Sequence, residues 1–150
     1  MIAIDSNLLV YAHRADSSWH HQAERIVVSL AEGSTQWAIP WPCVYEFIAI
    51  VTHPRIYKPP TPLSDALEQI QCWMDAPGLV LLHETNGFFE TFSSVLKSSK
   101  MTGPGVHDAR VAALCIRHRV VKLLTADRDF SRFPQLRIEN PLIEKTSGRH

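Results

Sequence analysis

Two rhythms of apolar residues alternate along the chain. Short unbroken apolar runs are each followed by a longer segment with apolar residues three and four apart, the signatures of buried strands and amphipathic helices. Residues 1–4 read as a first strand, bounded by Asp5-Ser6-Asn7, with Asp5 or Ser6 as N-cap of the helix that follows. Residues 18–32 put Ala23, Ile26, Val27 and Leu30 on one helical face, and Gly33-Ser34 ends that helix. His20 and His21 point about 100° apart around it, do not face one ion, and read as surface residues. Residues 36–39 form a second strand closed by Pro40. Pro42 opens a helix to about Thr52 with Val44, Phe47, Ile48 and Val51 as its buried stripe, and Pro54 lies beyond its end. Residues 53–62 hold four prolines and read as a stiff loop inside one domain. A helix capped by Ser64 then runs to about Asp75, with Ala66, Leu67, Ile70, Trp73 and Met74 on its apolar face. Leu79–Leu82 is a third strand, and Thr85 or Asn86 opens a helix through Phe89, Phe92, Val95 and Leu96. After a Gly-Pro-Gly turn come a helix over residues 107–118 that opens on Asp108, a strand over residues 120–124, and a turn over residues 125–129. Phe130 and Phe133 read as core anchors, residues 137–139 as a last short strand, and residues 144–150 as a polar tail. Strand–helix alternation over 150 residues predicts one α/β domain, residues 1–143, with a mostly parallel sheet of four to five short strands flanked by helices.

That topology has a consequence for the acids. Asp5 lies at the carboxyl end of the first strand, with Asn7 beside it. The helix carrying Glu46 follows a parallel strand and so starts at the same edge. The helix opening on Asp108 runs antiparallel to the fourth strand, and Asp127 sits just past that strand. If the first and fourth strands are neighbours where strand order reverses, Asp5, Glu46, Asp108 and Asp127 meet in one crevice, with Asp129 nearby. Each acid alone has an ordinary reading: a cap, a solvated helical glutamate, a helix-dipole acid, a turn residue. Together, four carboxylates repel one another unless a cation intervenes. A hard divalent ion with oxygen ligands, Mg²⁺ or Mn²⁺, relieves this, takes phosphate oxygens as further ligands and activates water, which is the chemistry of phosphodiester hydrolysis.

Composition adds a little. Formal net charge is zero, but residues 97–137 hold nine Lys/Arg against three acids: Asp108, Asp127 and Asp129. Such a field suits a polyanion gathered around a cation, although a solvated basic face accounts for it equally well. Cys43, Cys72 and Cys115 are an odd set without a CxxC pair, each in an apolar helical segment, and predict buried thiols in a reducing compartment. The start MIAID lacks the basic region of a secretory leader, and no apolar run approaches the roughly 20 residues of a membrane span, so a cytoplasmic protein without membrane association is expected.

Asp5-Ser6-Asn7, Glu46 within a helix, His107-Asp108-Ala109 opening a helix, and Thr125-Ala126-Asp127-Arg128-Asp129-Phe130 together resemble the PIN-domain nucleases. Within these the chain is most similar to the VapC-type ribonuclease toxins of bacterial toxin–antitoxin pairs. The likeness runs from Ile2 to about Pro141 and is most specific over residues 106–113 and 124–133, while residues 53–62 match no motif. It implies a Mg²⁺-dependent endoribonuclease, with Mn²⁺ as the alternative ion, a homodimer, and a cognate antitoxin that blocks the site. Position by position, Asp5 and Asp108 match the family's strongest metal-ligand positions, and Glu46 and Asp127 its other two acids. Asn7, Thr125 and Asp129 match supporting positions. Two other readings stay open: a catalytically silent PIN-fold binding module, and an RNA-maturation nuclease without an antitoxin. A receiver-like phosphotransfer domain fits poorly, because His83-Glu84-Thr85 follows the third strand where a phosphoacceptor aspartate is needed.

Overall fold

The first apolar run becomes the centre of the sheet. In the computed structural model, which describes residues 1–143, β1 (Ile2–Ile4) is flanked by β2 (Trp37–Pro40) on one side and β4 (Lys122–Leu124) on the other. β3 (Leu79–Leu82) and β5 (Ile138–Glu139) form the outer strands, giving the order β3-β2-β1-β4-β5 with every pair parallel. Ala3, Ile4, Trp37, Ala38 and Leu123 are wholly buried, as expected for strands covered on both faces. Ala3 aligns with Ala38 and with Leu123, so the carboxyl ends of β1, β2 and β4 lie level along one edge. Successive strands build outward from β1 to β3, and the chain then returns to β1's other side for β4. The reversal therefore falls between β1 and β4, as the sequence predicts.

Six helices complete the fold among the described residues: α1 (Ser6–His13), α2 (His20–Glu32), α3 (Trp41–Val51), α4 (Leu63–Met74), α5 (Phe88–Ser99) and α6 (Gly105–Arg117). Asp5 is the N-cap of α1, its carboxylate accepting from the Ser6 N–H. α6 is buried on nearly all sides, with Ala109, Ala112, Ala113, Leu114 and Cys115 fully covered, and its small residues let it pack closely. Phe130 and Phe133 close the core as expected, on a 3-10 turn over Arg128–Arg132. None of the helices is long and apolar enough to cross a membrane.

Several expectations are corrected. Ser64 does not cap α4; Pro62 holds that place and Ser64 lies within the first turn. Neither Thr85 nor Asn86 caps α5, which begins after Gly87 in a left-handed conformation (φ 87°) that glycine adopts without steric cost. Leu67 and Met74 are exposed, so the buried face of α4 is the narrower Ala66–Ile70–Trp73 stripe. Cys72 is also exposed, unlike Cys43 and Cys115. His20 is half-buried rather than superficial: its ring donates from Nδ1 to the Tyr11 carbonyl at 3.0 Å, stapling α2 to α1. In the proline-rich loop, Tyr57 lies under the Arg14 guanidinium, 4.3 Å from the ring centroid, while Thr61 is buried and contacts His13 and Arg14. The polar tail expected over residues 144–150 lies outside the described residues.

The tight fit of α6 makes a stability prediction. Ala112→Leu inserts three carbons where no space is open and should cost about 1–3 kcal/mol, read as a lower urea midpoint at unchanged slope. An unchanged midpoint would show that this face of α6 has room to spare.

Candidate active site

The β1–β4 ladder continues one residue past β1, through the Asp5 N–H donating to the Leu124 carbonyl at 2.9 Å. This holds Asp5 opposite the exit of β4. Its Oδ1 accepts from the Ser6 N–H at 2.7 Å and from the Cys43 thiol at 3.3 Å. Its Oδ2 accepts from the Thr125 hydroxyl at 2.8 Å and, at 3.4 Å, from the Asn7 amide. Thr125 Oγ1 in turn accepts from Asn7 Nδ2 at 3.2 Å and from the Asp127 N–H at 3.0 Å. Asn7 Oδ1 accepts from the Ala126 N–H at 3.2 Å. Asn7 thus bridges the first helical turn to the loop after β4.

Above this knot lies a cavity of about 220 Å³ whose wall includes Asp5, Asn7, Glu46, Asp108 and Asp127. Asp108 reaches it from the first turn of α6, and Glu46 from the second turn of α3. Ser6 donates its hydroxyl to Glu46 Oε1 in a short hydrogen bond, so one serine braces both Asp5 and Glu46. Asp127 accepts from the Asp129 N–H at 2.9 Å, a tight turn that brings Asp129 round beside it. One carboxylate oxygen each from Asp108, Asp127 and Asp129 lies within 4.8 Å of the others. Burial, and then the charges of Asp127, Asp5, Asp129 and Glu46, push the half-buried Asp108 carboxyl up to about 6. Burial also raises Asp5, against the pull of hydrogen bonds from Thr125, Ser6 and Cys43. The Cys43 thiol is driven well up by burial and by Asp5, which keeps it a protonated donor. Carboxylate oxygens held this close, with one carboxyl already resisting ionisation, fit a hard divalent cation.

All four acids singled out in the sequence therefore border one cavity. Asn7 lines it and Thr125 is buried beneath. Asp129, expected only in support, stands with Asp108 and Asp127 in the tightest carboxylate group, whereas Asp5 is the most heavily hydrogen-bonded acid. Sequence reasoning missed Ser6, Cys43 and Arg110. Cys43 shares a face of α3 with Glu46 through its i, i+3 spacing, a signal available without the structure. The basic field is partly absorbed by the fold: Arg110 pairs with Glu84 at 2.7 Å, Lys122 with Glu139 at 3.2 Å, and Arg117 donates to the Asn86 carbonyl at 2.7 Å.

A parallel sheet reversing between β1 and β4, with acids around that crevice, is the arrangement supposed from strand–helix alternation, and comparison with known proteins names the family. The profile of the PIN domain matches residues 2–136, and the chain belongs to the PIN-domain family. Within it the chain is of the VapC type: it is 31% identical to VapC ribonuclease Mb2897 of Mycobacterium bovis over 146 residues, covering 97% of this chain and 99% of that one. The fold is shared with VapC20 of Mycobacterium tuberculosis, a sarcin–ricin loop cleaving toxin (TM-score 0.65, 14% identity, 87% of this chain and 93% of that one). It is likewise shared with VapBC2 of Rickettsia felis bound to a DNA fragment from its promoter (TM-score 0.64, 17% identity, 93% and 98%).

Two outcomes follow from this geometry. Thr125→Val keeps the side-chain shape but strips partners from Asp5, Asn7 and the Asp127 N–H, and should cost about 1–3 kcal/mol in urea unfolding, with Thr125→Ser recovering most of the loss. Asp108→Asn should raise the melting temperature of the metal-free protein. The folded carboxyl ionises near 6 and the unfolded one near 3.8, so its charge opposes folding at neutral pH and ceases to do so as pH falls through that window. Melts in EDTA should show a gain of about a few degrees near neutrality that vanishes toward the lower value. A gain independent of pH would assign it to something other than that charge.

Proposed function

We propose that the chain is a divalent-metal-dependent endoribonuclease, the toxin of a toxin–antitoxin pair, which hydrolyses phosphodiester bonds of unpaired RNA in the cytoplasm. What carries this reading is the meeting of Asp5, Glu46, Asp108 and Asp127 around one cavity, with Asp129 at its edge, in a PIN domain of the VapC type. Similar proteins support the two partners: the Mycobacterium bovis relative is named a ribonuclease, VapC20, which shares the fold, is a sarcin–ricin loop cleaving toxin, and a structure of the same fold from Klebsiella pneumoniae is a toxin–antitoxin complex.

Asp108, Asp127, Asp129, Asp5 and Glu46 would hold Mg²⁺ or Mn²⁺. When bound, the ion would supply Lewis-acid chemistry: polarising a phosphate, lowering the pKa of a water and offsetting charge on a leaving oxygen. The chain's part is to keep the acids fixed. Thr125 and the Ser6 N–H hold the Asp5 carboxylate in one orientation, and the Ser6 hydroxyl holds Glu46 beside it. Asn7 locks the loop that carries Asp127. No serine or histidine nucleophile is required, and the buried, protonated Cys43 does not serve as one.

The test is cleavage of a labelled RNA pool by purified protein, with Mg²⁺ or EDTA, beside Asp5→Asn and Asp108→Asn. Wild type should cut only with the metal, and each substitution should lower the rate by about a hundredfold or more. Cutting that survives both EDTA and the two substitutions would end the acidic-cavity mechanism.

A further inference from the structure

The acidic cavity does not stop at its carboxylates. A second hollow of about 290 Å³ adjoins it, and Pro42, Tyr45 and Arg110 belong to the walls of both. Trp41, Tyr45 and Glu84 line the second hollow. Trp41 and Tyr45 are one helical turn apart on α3 and stack with ring centroids 5.8 Å apart and planes 25° from parallel. Tyr45 is 56% exposed, a large aromatic surface left in water. Among the described residues its hydroxyl has no hydrogen-bond partner. Arg110 is oriented by its Nε donating to Glu84 Oε1 at 2.7 Å, and its terminal nitrogens have no other partner among those residues. Tyr45 thus lines the cavity that holds Asp5, Glu46, Asp108 and Asp127 as well as the second hollow.

We propose that the Trp41–Tyr45 ledge stacks an unpaired base of the RNA next to the scissile phosphate, with Arg110 holding a neighbouring phosphate oxygen. This rests on the nuclease reading and names part of its substrate recognition. A flat, exposed, pre-stacked ring beside a guanidinium that Glu84 orients through Nε alone suits a nucleotide, which carries a π-face and an anion on one unit. It suits a protein partner less well, since the ledge shares its wall with the carboxylate cavity. A base in a duplex already has both faces covered, so the ledge selects single-stranded or looped RNA. Stacking accepts any base, so this contact positions the strand rather than reading its sequence.

The experiment uses a short single-stranded RNA, chosen from a randomised pool by wild-type cleavage. It also uses copies carrying one abasic nucleotide at each position flanking the cut. Tyr45→Ala should lower kcat/KM by about tenfold, mainly through KM, and Tyr45→Phe should stay close to wild type. An abasic nucleotide at one flanking position should cost wild type a similar factor and cost Tyr45→Ala almost nothing. Unchanged cleavage by Tyr45→Ala, or abasic penalties equal in both proteins at every position, overturns the ledge while leaving the nuclease reading intact. Unchanged cleavage with a shift in size-exclusion elution would give the ledge to a second copy of the chain and overturns it too. A wild type that cuts no RNA in the pool with Mg²⁺ or Mn²⁺ fails the nuclease reading and takes the ledge with it.

Discussion

Five carboxylates crowd the end of a narrow sheet, and the fold holds them there against their own repulsion. The interaction that makes this possible is the hydrogen-bond knot around Asp5. Its two oxygens take donors from the backbone of α1, the thiol of α3 and the hydroxyl after β4, so one buried acid joins three of the elements that build the site. Without that join, the exits of β1 and β4 would be linked only by a few backbone bonds. With it, Thr125, Asn7 and the Asp127 N–H form a continuous polar layer under the cavity floor. In low-dielectric surroundings such a layer is rigid when complete and costly when a member is removed.

The electrostatic arrangement is graded rather than uniform. Asp5 is buried and heavily hydrogen-bonded, Asp108 is half-buried and resists ionisation, and Glu46 and Asp129 face solvent. The strain of like charge falls on Asp108, whose carboxyl is pushed by burial and then by Asp127, Asp5, Asp129 and Glu46. Marginal folding stability makes this meaningful, since a site that opposes folding must be carried by the core. The closely packed α6, lined with alanines and holding Asp108 in its first turn, is the part of the core that carries it.

Much of this was legible in the sequence, and for a physical reason. A parallel sheet forces strand exits and the starts of following helices to one edge, so element order put the acids at one edge, and their meeting in one crevice followed once the first and fourth strands were taken as neighbours. The motif around Asp5-Ser6-Asn7 and Thr125–Phe130 then supplied the family. What escaped depends on side-chain direction, which periodicity reports poorly. Ser6 was read as a cap, yet its hydroxyl turns to Glu46. Asp129 was ranked behind Asp5, yet the turn capped by Asp127 folds it back to its neighbours. His20 looked superficial beside His21, but one ring nitrogen finds a carbonyl of the preceding helix. Cys72, Leu67 and Met74 fell on an apolar stripe wider than the surface α4 has to cover.

The bond between Thr125 and Asp5 closes a span of 120 positions, from the first strand to the fourth. β1 is made first and sits in the middle of the sheet, so it must wait for β4 before its second neighbour exists. A growing chain on the ribosome therefore carries no assembled acidic cavity until β4 and the turn after it have emerged. For an enzyme whose proposed substrate is RNA, the topology itself defers activity: β4 must be made and docked beside β1 before the product can cut anything, including the message or the ribosome that is making it.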